Sequence, residues 1–200
     1  MSPIDKDGML IDSRVLLRRS ASIEHGELSG VRAIVVHQTD SSSAQATLNG
    51  YQNGGNGAHF LIDKNGQIFQ TASLLKRCYH VGRLIKSKCL AIDKSKCDSA
   101  TMAKVLAMTW VKQIAEIDAL ERAKSYPDRY PVNSDSVGIE LVGQHIDDDN
   151  YEAVTAPQNT SLQWLASELY THFSLKARDV YRHPEVSYKN PGEASTARWQ

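Results

Sequence analysis

The chain has 200 residues, 23 Lys+Arg against 23 Asp+Glu, and a formal net charge of zero. That balance argues against a general nucleic-acid binder, which carries a basic excess, and no run approaches the roughly 20 apolar residues needed to span a bilayer. A hydrophobic fraction of 41% and this length suit one α/β domain with a proper core and room for one sizeable insertion.

In chain order, residues 1–30 are mixed and polar and read as an N-terminal lead. They lack a basic start followed by an apolar core, so no signal peptide is expected. Residues 31–36, VRAIVV, have the length and β-branched content of a strand. The serines at 41–43 are placed to cap a helix through about Tyr51, with Ala44, Leu48 and Tyr51 on one face. NGGNG at 53–57 is a loop. In AHFLIDKNGQIFQ (58–70), two apolar runs flank DKNG, the pattern of a β-hairpin. CYHVG (78–82) reads as a short strand or strand end.

From about residue 85 to 130 the texture changes, and a helical insertion is expected there. SATMAKVLAMTWVKQIAEIDALERA reads as one long helix, with Met102, Val105, Leu106, Ile114, Ile117 and Leu120 as its stripe and Asp98 or Ser99 as its cap. SVGIELVG (136–143) is a buried-strand pattern. TSLQWLASELYTHFSL (160–175) is an amphipathic helix with Leu162, Leu165, Leu169 and Phe173 inward. The indoles of Trp110 and Trp164 are expected in the core. Residues 31–200 then form a single domain. Cys78, Cys89 and Cys97 are too few for a disulfide scaffold; ordinary thiols are expected, a Cys89–Cys97 bridge in an oxidising compartment being the alternative.

The chemistry starts with His37, at the end of VRAIVV. Alone it reads as a packed histidine. His183 also follows a short apolar stretch and enters a polar turn, and two imidazoles from separate strand ends on one sheet rim suit Zn²⁺, which leaves a place for water in catalytic sites. Glu140 stands inside an apolar strand, where an unpaired carboxylate is costly. It either faces out or pairs with an arginine, or it is a general base whose pKa burial raises toward neutrality. His25, His145 and His172 receive no role.

VVHQT, GAHFLIDKNGQIFQ, YHVG, SVGIELVG and HPEVSYKNPG together resemble, in order, the zinc-dependent N-acetylmuramoyl-L-alanine amidases of type 2, relatives of peptidoglycan recognition proteins. The resemblance covers roughly residues 31–82 and 132–195. It implies an α/β fold with a central mixed β-sheet flanked by helices, and zinc held by His37, His183 and one further ligand. It also implies Glu140 as the catalytic glutamate and Lys189 as the cation that stabilises the oxyanion. Another branch uses a tyrosine before the histidine of the HFLID-like strand; here Ala58 stands there. The family's last ligand is an Asp or Cys in a K-x-D-P-G-like segment, whereas this chain reads KNPG with Asn190 at that place. Glu193 close by is the expected substitute and Asn190 the alternative. His59 and His80 are the substrate-side candidates; for His59 structural support is expected over direct metal contact, and for His80 substrate contact and core packing are equal readings.

The resemblance implies hydrolysis of the bond between N-acetylmuramic acid and L-alanine in peptidoglycan or muropeptides. The non-standard ligand segment leaves a non-catalytic peptidoglycan-binding module as the rival. The closing segment is more similar to antibacterial effector amidases, exported without a signal peptide by a specialised secretion system, type VI in kind, into a target cell's periplasm. A cognate immunity protein and a secretion component are then partners. The alternative is a cytoplasmic amidase of cell-wall recycling.

Overall fold

A computed structural model describes residues 2–200. Its strands are β1 (Val15–Leu17), β2 (Ala33–Gln38), β3 (Phe60–Ile62), β4 (Ile68–Gln70), β5 (Ser136–Leu141), β6 (His145–Asp147), β7 (Asn150–Tyr151) and β8 (Val180–Arg182). Six of them form one sheet in the order β1-β4-β3-β5-β2-β8, and β6 and β7 make a separate ribbon. β3 and β4 are antiparallel; every other pairing in the large sheet is parallel, so the sheet is mixed as expected. β2 is buried along its whole length, which is why its sequence is a continuous apolar run rather than an alternation. The β3–β4 turn needs Gly66, whose φ is +88°; a Cβ there would also sit 2.9 Å from the Pro157 carbonyl oxygen.

The helices are α1 (Ala44–Gln52), α2 (Lys88–Ile92), α3 (Ser99–Leu106), α4 (Trp110–Arg122), α5 (Ala156–Phe173) and the single turn α6 (His183–Val186). Ser43 caps α1 by accepting from the Ala46 amide. α5 begins four residues earlier than its apolar pattern suggests. Thr155 and Gln158 form a capping box and Pro157 sits in the first turn, both strong start signals. Leu162, Leu165 and Leu169 of α5 are fully buried against Ile34, Val36, Val137, Ile139 and Leu141 on one sheet face. The opposite face carries Val35, which packs with Val81, Ile85, Tyr130, Val132 and Val186.

Five expectations are corrected. The lead is no loose extension: β1 pairs with β4 along the sheet edge, and Leu10 and Val15 join the main core. CYHVG forms only an isolated bridge, Asn56 to Tyr79. The single long helix is two. Thr109, a favoured N-cap type, adopts an extended backbone (ψ 149°) and starts α4 afresh. The break leaves Leu106 and Trp110 exposed, Trp110 at 60%, with its ring edge-on to Tyr188. Trp164 is partly buried against the core, beneath the Arg14 guanidinium. Cys89 and Cys97 are bridged, because α2 and the turn after it bring their Cα atoms to 5.4 Å; Cys78 is buried and free.

The segment 85–130 carries α2, α3 and α4 beside the Val35 face. Lys88 ties it down: its ammonium donates to the Pro127 carbonyl and lies over the rings of Tyr126, Tyr130 and Tyr181. Such cation–π contacts contribute about 0.5–2 kcal/mol each.

Candidate active site

Strand register assembles the site. His37 on β2 is level with Glu140 on β5, and Val36 is level with Arg182 on β8, so His183 follows one step on. Parallel neighbours at one level point their side chains to the same face. Three adjacent strands thus deliver two imidazoles and a carboxylate at their C-terminal ends, where open α/β sheets bind ligands.

The chain's last turn adds a fourth group. Oε1 of Glu193 lies 2.9 Å from Nδ1 of His183 and 3.5 Å from Nδ1 of His37. One ligand atom from each of these three residues falls within 4.8 Å of the others, and all three side chains are buried. The far ring nitrogens fix what the near ones present. Nε2 of His183 donates to the Val81 carbonyl oxygen (3.2 Å). Nε2 of His80 donates to the Ser136 carbonyl oxygen (3.3 Å), which leaves the His80 Nδ1 lone pair to accept from Nε2 of His37 (3.1 Å). Carbonyl oxygens only accept, so both site histidines carry their proton on Nε2 and aim a bare Nδ1 at a carboxylate. Three converging acceptors are reconciled only by a cation or an added proton between them. Two imidazoles and one carboxylate, each imidazole braced from behind, match the donor set of catalytic zinc.

The charge states suit a metal as well. Burial, aided by the neighbouring His183 charge, lowers His37 to about 4, so it is neutral at pH 7. When a proton rather than a metal ion lies between them, hydrogen bonds from His183 and His37 outweigh the burial that pushes Glu193 up and hold its carboxyl at about 2. A neutral imidazole and an ionised carboxylate are the forms that bind metal.

Glu140 stands apart from this trio. Its Oε2 is closed off from solvent and has no hydrogen-bond partner among the described residues. Burial, with the Glu193 charge adding to it and Lys189 opposing, raises it to about 8. It borders a cleft of about 350 Å³ with the trio and Lys189. A carboxylate poised near neutrality, unpaired, on the wall of a cleft is the form a general base takes.

The profile of the N-acetylmuramoyl-L-alanine amidase family (Amidase_2) matches residues 27–196. The chain belongs to this family. The amidase is accordingly a hydrolytic enzyme of the cell-wall class. Its fold is similar to that of AmpD (a selenomethionine derivative) at 20% identity and TM-score 0.55, covering 96% of each chain. It is also similar to the catalytic domain of XlyA at 17% and 0.53, covering 88% of this chain and 87% of that one. A third match is AmiD from E. coli at 14% and 0.52, covering 92% of this chain and 57% of that one. No curated protein sequence matches significantly.

Both substrate-side candidates take the supporting role that was their other reading. His59 is wholly buried; Nε2 donates to the Lys76 carbonyl and Nδ1 accepts from the Gly138 amide, so neither nitrogen is free for substrate. His80 is likewise spent, between His37 and Ser136, and acts on the site by fixing the His37 tautomer. Gly138 makes room for it: a Cβ there would meet the His80 ring at 2.8 Å. Asn190, the alternative ligand, is committed elsewhere. Its Nδ2 donates to the Asp148 carbonyl (2.7 Å) and its Oδ1 accepts from the Gly192 amide (2.8 Å). Lys189 is exposed on the cleft wall. Tyr51 was legible only as an apolar helix position, yet it also borders the cleft. A second hollow of about 670 Å³ adjoins through Asn56, Tyr79, Gly82 and Lys189 and is lined by Arg83 and Arg122.

Proposed function

We propose that the amidase hydrolyses the amide between N-acetylmuramic acid and L-alanine with zinc held by His37, His183 and Glu193. The observation that carries this is the convergence of two bare imidazole nitrogens and one carboxylate beside the unpaired oxygen of Glu140. A bound zinc ion supplies Lewis acidity that makes water a nucleophile near neutral pH. Glu140 accepts a proton from the attacking water and returns it to the departing amine of L-alanine. Lys189, on the cleft wall, stabilises the charge that develops on the carbonyl oxygen. His80 and Val81 hold the two histidines in the ligating tautomer. The adjoining hollow with Arg83 and Arg122 suits the carboxylates of a stem peptide.

Purified sacculi test this directly. The protein is expected to release muropeptides cut at the lactyl–alanine amide, to lose that activity to a chelator, and to regain it with zinc. Binding to sacculi without release would support the rival binding module instead.

For the setting we favour an antibacterial effector, delivered by type VI secretion into a target periplasm and neutralised at home by an immunity protein. The Cys89–Cys97 bridge supports an oxidising destination over cytoplasmic recycling. Among the described residues no helix is long and apolar enough to cross a membrane. Expression directed to the periplasm is expected to lyse cells while cytoplasmic expression does not; lysis from neither compartment would remove the effector reading.

A further inference from the structure

Among the described residues, four side-chain atoms are buried without a hydrogen-bond partner, and two of them belong to residues of the same cleft. One is Oε2 of Glu140. The other is the hydroxyl of Tyr51, on α1. The remaining two, on Arg77 and Tyr170, belong to residues outside that cleft. A buried hydroxyl left unmatched costs about 1–3 kcal/mol, so a protein retains one where something else satisfies it.

The Tyr51 side chain is fixed in place. The residue is 8% exposed, and its ring packs with Ile23, Ala72 and Cys78. Burial, and then the negative charge of Glu140, keeps the phenol protonated. The Ala58 amide N–H lies against the hydroxyl oxygen, but among the described residues the hydroxyl's own proton has no acceptor, and Oε2 of Glu140 has no donor to accept from. The cleft makes a paired demand, for a ligand that presents an acceptor next to a donor. An amide undergoing attack by water meets it. The carbonyl oxygen accepts, and the water gives its proton.

We propose that the Tyr51 hydroxyl donates a hydrogen bond to the carbonyl oxygen of the scissile amide, making Tyr51 a catalytic residue beside Glu140 and Lys189. No proton is transferred from Tyr51. Its hydrogen bond strengthens as the carbonyl oxygen gains charge, so its contribution falls on the transition state rather than on ground-state binding. The inference rests on the amide-hydrolysis reading above.

The test is Tyr51→Phe, which keeps the packed ring and removes only the unmatched oxygen. Muropeptide release, zinc content and thermal midpoint are measured on wild type and variant together. The expected result is a kcat lowered about 10²–10³-fold, as for loss of one oxyanion donor, with KM little changed, zinc content intact and a midpoint unchanged or raised. A kcat within twofold of wild type overturns the inference. So does a lowered kcat that comes with lost zinc or a lowered midpoint, since that marks a hydroxyl serving the fold. An inactive wild type would instead bring down the hydrolysis reading together with this one, whereas an active wild type with an active variant removes Tyr51 alone.

Discussion

Glu140→Gln is expected to lower muropeptide turnover by about 10²–10⁴-fold, the usual worth of a general acid–base group, with zinc and fold retained. The same substitution should stabilise the metal-free protein at alkaline pH. An ordinary glutamate loses its proton near 4.5, whereas the folded Glu140 keeps its proton up to about 8. Below pH 4.5 both folded and unfolded states are protonated and burial carries no ionisation penalty. Between the two values the unfolded chain ionises while the folded one cannot, so stability declines as pH rises and the penalty is complete above about 8. Each unit of separation is worth about 1.4 kcal/mol. Glutamine removes the penalty, for a gain on the order of 5 kcal/mol at pH 9 and little at pH 4. Denaturant unfolding of chelator-treated wild type and variant at both values measures it. Wild-type turnover in the variant would end the base assignment; equal stabilities at pH 9 would show that Glu140 ionises freely in the fold. A site residue that costs stability and supplies chemistry is the trade that functional sites commonly make.

Both the strand runs and the ordered motifs were readable because burial and hydrogen bonding act locally on them. VRAIVV and SVGIEL, the DKNG turn and the Ser43 cap each carry their signal within a few residues, and each lies where the sequence placed it. His37, Glu140 and His183 were singled out one by one as residues in the wrong company. What no single stretch records is register. That His37 is level with Glu140 follows from which strands pair and how they slide, a property of the whole sheet. The break at Thr109 was missed because an apolar stripe continues in periodicity across it while the backbone does not. The Cys89–Cys97 bridge stood in the sequence only as the alternative to free thiols, because its two ends meet only after α2 folds back. His59 and His80 looked like cleft residues from their place beside the site motifs, but each spends both ring nitrogens on protein partners. Tyr51 gave no chemical signal at all. A tyrosine at a packed helix position is indistinguishable, in sequence, from one whose hydroxyl is unmatched at the edge of a cleft.

The ligand segment supplies the other large effect. Glu193→Ala is expected to weaken zinc binding by more than the 10–100-fold typical of losing a group that merely supports a ligand, whereas Asn190→Ala leaves affinity near wild type. The chain there reads KNPGE where the family resemblance leads one to look for an acid two places before the glycine. The shift of three residues is absorbed by the turn after Asn190. The Asn190 amide closes that turn on Gly192 and ties it to Asp148, and the Glu193 amide donates back to the Asn190 carbonyl. Glu193 is thereby carried inward, where its carboxylate faces both imidazoles and also accepts from the Gln38 amide at 3.4 Å. Asn190 thus holds the turn while Glu193 faces the histidines, and the two variants should part accordingly. Chelator competition at pH 7 separates them. Lost affinity in Asn190→Ala with Glu193→Ala unaffected would return the third ligand to the position the family pattern assigns. Loss in both would mean that the turn, and not the carboxylate alone, governs the site. With Glu193 gone, two neutral imidazoles would have to hold a divalent ion with no compensating charge from the trio. Glu140, raised to about 8 in part by the Glu193 charge, would then also titrate lower. A chelator-treated Glu193→Ala protein should accordingly lose less stability to Glu140 ionisation than wild type, and complete that loss at a lower pH, because the folded and unfolded carboxyl values move closer together.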